Sequence, residues 1–236
     1  MQLTVKEAAN LLNVPEKTVH RWIKQRAIPV YRINEQFRFN RAELLEWATS
    51  QRIQISPEIF LSDEPGKAPL PRLSEALKAG GVAYRVGGDD KPSVLRAIVD
   101  FLHLPDEVDR AFLYEVLLAR ESLGSTGIGD GIAIPHVRNP VVLQVSKPTV
   151  TLCFLEHPVD FVAIDRQPVN TLFTLISPTV QQHLHLLSRL GFVLQNPDFK
   201  AALKRQASPH ELMAALERAE AEIPAPGNKQ NNGQRT

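Results

Sequence analysis

Residues 124–136 read Gly-Ser-Thr-Gly-Ile-Gly-Asp-Gly-Ile-Ala-Ile-Pro-His, GSTGIGDGIAIPH. Four glycines fall within eight residues. Such backbone approaches a ligand closely and can aim N–H groups at an anion. The stretch lacks the Lys-Ser/Thr ending of a phosphate-binding P-loop, which argues against nucleotide binding. An apolar strand, Ile132 to Ile134, then delivers His136, and Pro135 fixes the backbone just before it. A rigid element ending in one imidazole is a way to present a single reactive group. Neutral imidazole is nucleophilic near pH 7. A lone histidine after a strand is, however, more often a packed or capping residue than a nucleophile, so composition alone leaves both readings of His136 open.

Outward from this loop, helical and strand-like segments mix. Upstream, GGVAYRV (80–86) reads as a strand, Asp90-Lys91-Pro92 opens a helix to about Leu102, and a second helix runs from about Asp106 to Ala119. Downstream, KPTVTLCFL (147–155) and VNTLFTLI (169–176) are β-rich. Helices follow from about Val180, Pro197 and Pro209. The pattern predicts an α/β layered domain, a mixed sheet flanked by helices, over residues 72–222. The tail, 223–236, is polar and rich in Pro and Gly and is expected to be disordered. Before the domain, SPEIFLSDEPGKAPLP (56–71) holds four prolines and no periodicity; residues 54–71 read as a linker.

Residues 1–53 form a separate module. Thr4-Val5-Lys6-Glu7 is a capping box opening a helix to about Leu12. A tight turn at Asn13-Val14 leads to a second helix, PEKTVHRWIKQ (15–25), with Val19, Trp22 and Ile23 facing inward. AIPVYRI and FRFN read as strands about a turn at residues 34–36, and a third helix starts near Asn40. Residues 1–55 carry nine Lys/Arg and five Asp/Glu, net +4, whereas the remainder is net −3. Helix-turn-helix with a basic balance points to DNA. Lys17, Thr18, Arg21 and Lys24 on the second helix would reach phosphates or base edges, with Arg38 and Arg32 on a wing. The opposing reading is an interaction module whose charges are a solvated face.

The bulk composition sets further bounds. The single cysteine, Cys153, lies in an apolar β-branched run and reads as a buried structural thiol; no internal disulfide is possible. No apolar stretch reaches the roughly 18 residues of a membrane span, and no signal-peptide layout opens the chain, so a cytoplasmic, soluble protein is expected. No histidine pair has the i,i+3 or i,i+4 spacing of a helical metal site, and neither metal nor cofactor is expected.

Two resemblances sharpen this. Residues 3–48, LTVKEAANLLNVPEKTVHRWIKQRAIPVYRINEQFRFNRAELLEWA, resemble the winged helix of the MerR and excisionase families. The run RESLGSTGIGDGIAIPH (120–136) resembles the phosphorylation-site signature of type-2 enzyme IIA domains of the bacterial phosphotransferase system, including the nitrogen-regulatory PtsN branch. The likeness continues through PVDFVAIDRQPVNTLFTLISP (158–178) and QQHLHLLSRL (181–190). The resemblance implies that His136 is the phosphoryl acceptor and His183 the second site histidine. It also implies that Arg120 matches the arginine preceding the site glutamate. On residues alone, His183 is either functional or a helix-surface histidine, and Arg120 either a site residue or a helix-end cation. His185 sits two positions on and reads as structural. Val137 departs from the family's small residue and is expected to narrow the donor's approach.

The combined expectation is a phosphoryl carrier, an enzyme only in that narrow sense, coupled to DNA binding for transcriptional regulation. Its implied partners are a phosphorylated HPr-like carrier, DNA and a second copy of the chain, because one small module binds DNA weakly. Two alternatives stand beside it. One is a sugar-specific enzyme IIA passing phosphate to an enzyme IIB; the other is a regulator that is never phosphorylated.

Overall fold

A computed structural model describes residues 2–33, 36–51, 53, 70–137 and 145–223. The expected linker falls almost wholly, and the expected disordered tail from residue 224 on, outside the described residues.

The N-terminal domain consists of β1 (Gln2–Leu3), α1 (Val5–Leu11), α2 (Glu16–Lys24), β2 (Tyr31–Ile33), β3 (Gln36–Asn40) and α3 (Arg41–Ser50). The capping box forms as read: the Glu7 N–H donates to Thr4 Oγ1, and the Thr4 N–H to the Glu7 carboxylate at 2.8 Å. Asn13 takes the left-handed conformation, φ 52°, in the turn between the helices, a role its short polar side chain tolerates. β2 and β3 pair antiparallel as the expected hairpin, Arg32 opposite Phe37. β1 adds a third strand on the far edge of β3, which the sequence does not announce, because a two-residue strand has no period. Val19, Phe39, Leu44, Leu45 and Ala48 are fully buried, and Trp22 meets Trp47 edge-on at 5.2 Å.

The second domain begins with a helix missing from the sequence reading, α4 (Leu73–Gly80), ahead of β4 (Val82–Val86). α5 (Lys91–Phe101) is capped by Asp90 as expected. α6 (Arg110–Ser122) starts four residues later than expected, because Asp109 is the cap, accepting from the Phe112 N–H at 3.0 Å. β5 (Gly127–Gly129) and β6 (Ile132–Ala133) follow, then β7 (Thr149–Val159), β8 (Val169–Ile176), α7 (Val180–Val193), α8 (Pro197–Lys204) and α9 (Pro209–Ala221). The strands form one mixed sheet in the order β4-β7-β8-β6-β5. β4 runs parallel to β7 and β6 parallel to β8; β7 and β8, and β5 and β6, are antiparallel.

Both faces of the sheet are covered, which explains why β7 and β8 read as continuous apolar runs. Leu152, Phe154, Phe173 and Leu175 face a core built with α4, α7, α8 and α9. Cys153, Leu155, Leu172 and Ile176 face the core built with α5 and α6. A buried carboxylate ties the first layer together. Glu220 on α9 accepts from the backbone N–H groups of Leu73 and Ser74, the Ser74 hydroxyl and Arg189 Nε at 2.9 Å. Burial alone would raise its pKa. The Ser74 hydroxyl, the Leu73 N–H, Arg189 and the Ser74 N–H outweigh burial and hold the carboxyl below the ordinary glutamate range.

The two domains touch. α3 packs against α7 and β5, and Leu184 of α7 lies against the N-terminal core with Trp47 and Ile53.

Candidate functional site

The glycine run is a hairpin rather than an open anion cradle. β5 and β6 pair across Gly129-Asp130-Gly131, all three with positive φ (89°, 55° and 72°). A Cβ on Gly127 would stand 2.8 Å from the Ala163 Cβ, so that glycine serves close packing. The hairpin's far side is fixed to α8 through Lys200 Nζ and Asp130 Oδ2, 2.8 Å.

β6 lies beside β8 in parallel register, Ile132 opposite Thr171, and this carries the chain to a bridge between His136 and Leu175 at the end of β8. The strand predicted at 132–134 does therefore deliver His136. β8 then turns through Ser177-Pro178-Thr179 into α7, and the Thr179 hydroxyl caps it by accepting from the Gln182 N–H at 3.2 Å. His183, the fourth residue of α7, arrives opposite His136. The ring centroids are 5.2 Å apart, tilted by 37°. Both are buried, 4% and 2% exposed.

The His136 ring is oriented by its own strand. Nδ1 lies 2.7 Å from the carbonyl oxygen of Ile134. A carbonyl only accepts, so Nδ1 carries the proton, and in the neutral ring the nucleophilic lone pair is on Nε2. An imidazole held in one tautomer beside a second imidazole at a capped helix N-terminus is suited to accept an anionic group.

Arg120 and its neighbour Glu121 hold the start of the glycine run. The Arg120 guanidinium donates to the carbonyl of Gly124 at 2.9 Å, bridging the end of α6 to the start of the glycine run. Glu121 is buried and accepts from the Thr126 N–H and, at 2.6 Å, from the Thr126 hydroxyl. Lys91 Nζ stands 3.2 Å from the same carboxylate. Lys91 escapes sequence reasoning, since nothing local in Asp90-Lys91-Pro92 shows that it will cross to α6. Val137, expected to narrow the donor's path, instead points into the α5–α6 core and is 2% exposed. His185 is buried on α7.

On the N-terminal domain, Lys17, Arg21 and Lys24 are exposed along one side of α2, at i, i+4 and i+7; Thr18 is half-buried. Arg38 on β3 donates to the Gln36 side chain, which aligns it along the hairpin. Arg32 is exposed on the neighbouring strand.

Among the described residues, no helix is long and apolar enough to cross a membrane, and no cluster of three His, Cys, Asp or Glu side chains has the arrangement of a metal site.

Comparison with known proteins converges on the same regions. Residues 3–52 match a helix-turn-helix domain family. The chain is 39% identical over 137 residues to a nitrogen regulatory protein of Pseudomonas aeruginosa, covering 56% of this chain and 86% of that one. It is 36% identical over 147 residues to the nitrogen regulatory protein of Escherichia coli, covering 60% and 86%. The structure resembles the nitrogen regulatory protein IIA-Ntr from Neisseria meningitidis, with a TM-score of 0.50 at 30% identity, over 61% of this chain and 94% of that one. Residues 75–219 match the family described as phosphoenolpyruvate-dependent sugar phosphotransferase system, EIIA 2, and the chain, which carries a helix-turn-helix domain in front of that region, belongs to this family.

Proposed function

We propose that this chain is a regulator that accepts a phosphoryl group on Nε2 of His136 from a phosphorylated HPr-like carrier and couples that event to DNA binding by residues 1–53. The observation that carries the reading is the buried His136–His183 pair with the His136 tautomer fixed by Ile134. In the transfer, the Nε2 lone pair forms an N–P bond as the donor's N–P bond breaks in line with it. Little covalent machinery is needed beyond position and charge stabilisation. His183 is assigned the stabilising role at the transferred oxygens, and Arg120 the positioning of the loop through Gly124. The nitrogen-regulatory character of the relatives and the helix-turn-helix domain favour regulation over sugar uptake.

The test is donor-dependent labelling of the full chain with phosphoenolpyruvate, enzyme I and HPr or its nitrogen-branch counterpart. Wild type takes up acid-labile label and His136→Ala takes up none. Equal labelling of the two would refute the assignment. Rapid onward transfer to an enzyme IIB, with no salt-sensitive binding to promoter DNA, would favour the transport reading instead.

A further inference from the structure

The placement of α3 constrains how a donor reaches the histidines. α3 is apolar over a wide arc: Leu44, Leu45 and Ala48 are fully buried, and Trp47 packs against the N-terminal core. A helix apolar over so wide an arc has more than one partner to cover it. Within its own domain α3 packs on β3. Beyond its own domain it meets α7, which carries His183, and β5, which pairs with the strand leading to His136. Leu184, the residue after His183, is packed against the buried N-terminal cluster, as Trp47 and Ile53 are.

In-line transfer from a phosphorylated carrier needs the donor phosphorus about 3–3.5 Å from Nε2. His136 at 4% exposure and His183 at 2% do not offer that approach to a protein. A transferred phosphoryl group would also bring about two negative charges close to the apolar packing of Leu184, where they cost desolvation.

We propose that the helix-turn-helix domain is the resident cover of the phosphoacceptor site, so that docking of α3 on α7 and β5 and phosphorylation of His136 oppose each other. The arrangement described is the closed, unphosphorylated state. Opening is needed for the carrier to reach Nε2, and the phosphoryl group, once on, holds the domains apart. By linkage, whatever holds the domains apart, including DNA that binds only the released domain, favours phosphorylation to the same extent that phosphorylation favours release. This coupling rests on the reading of His136 as acceptor; the docking itself does not.

The test separates the two with a probe that needs no donor. Diethylpyrocarbonate acylates accessible neutral imidazoles, and mass spectrometry reads each histidine separately. His20, His103, His157 and His210 are exposed and serve as internal standards. In the full-length wild type His136 should react far more slowly than they do. Leu184→Glu places a charge in the seam and should raise the His136 rate by about tenfold, the scale of one lost apolar contact. Leu184→Ala, the milder change, should raise it by a smaller factor with circular dichroism unchanged, which guards against misfolding of the glutamate variant. With donor proteins present, the initial rate of phosphorylation should rise in the same order. If His136 reacts as fast as the standards in wild type, or neither variant changes its rate, the docking proposal is overturned, whatever the phosphorylation result. If both variants open the site to the reagent but no donor labels His136, docking stands and the acceptor reading falls.

Discussion

Replacing Glu220 tests the assembly of the second domain. The side chain is fully buried and is the shared acceptor for Leu73 and Ser74 at the first turn of α4, for the Ser74 hydroxyl and for Arg189 of α7. Glu220→Ala strands two backbone N–H groups that have little access to water. Orphaned donors cost roughly 1–3 kcal/mol each, and breaking a buried ion pair from one side costs about 3–5 kcal/mol. The Ser74 hydroxyl can turn and Arg189 can hydrate, so the expected loss is about 4 kcal/mol, or roughly 12 °C in Tm for a domain of this size. Calorimetry or circular dichroism should read it. Both tryptophans, Trp22 and Trp47, lie in the other domain, so tryptophan fluorescence would report the loss only through the packing of α3, which carries Trp47, on α7. The pH dependence has a fixed sign. The folded carboxyl titrates below the ordinary value of 4.5, so its contribution is complete above that value and is lost as pH falls through the folded pKa. The gap between wild type and Glu220→Ala should be constant from neutral pH to about 4.5 and shrink at lower pH. A loss under 1 kcal/mol at pH 7, or a gap that widens on acidification, would show that Glu220 does not anchor α4.

Other expectations follow from single features. Burial pushes the Cys153 thiol up to about 12, so at pH 8 only about one molecule in 10⁴ is thiolate; labelling with a thiol reagent should proceed only through unfolding and show the denaturant dependence of global opening. Gly131→Ala forces a side chain onto φ 72°, with its Cβ 3.3 Å from Asn170 Oδ1. It should destabilise by about 1–2 kcal/mol and slow donor-dependent labelling of His136, since the turn sets β6; a neutral thermal melt would contradict this. If α2 contacts phosphates, Lys17→Ala and Arg21→Ala should each reduce the slope of log affinity for DNA against log salt by about one; unchanged slopes in titrations from low to moderate salt would place the DNA contacts elsewhere.

What the sequence disclosed follows the range of the forces involved. Thr4 with Glu7, and Asp90 at the start of α5, are visible because a cap acts across three residues. α4 was missed for the complementary reason. Its N-terminus follows a proline-rich stretch and begins at Arg72 with no Ser, Thr or Asp; the acceptor that satisfies it is Glu220, far along the chain. β5 was hidden among glycines that read as loop, because pairing with β6 and the close approach of Ala163, rather than strand propensity, hold it extended. The histidines show both limits. The placement of His136 at the end of a strand was legible from Ile132–Ile134 and Pro135, but no spacing rule links it to His183. The link runs through the parallel register of β6 on β8 and the turn into α7, and family resemblance alone pointed to it beforehand.

The short contact between His136 Nδ1 and the Ile134 carbonyl gives the proposed function a definite regiochemistry to test. Imidazole can be phosphorylated at either nitrogen, giving two isomers that differ in shape and in the proton they present. With Nδ1 engaged by the backbone two residues upstream, phosphorylation of His136 as proposed would give the Nε2 isomer. A protein taking the group onward, and an antibody raised to detect it, would then have to be selective for that isomer, and coupling of phosphorus to the ring protons in nuclear magnetic resonance would identify it.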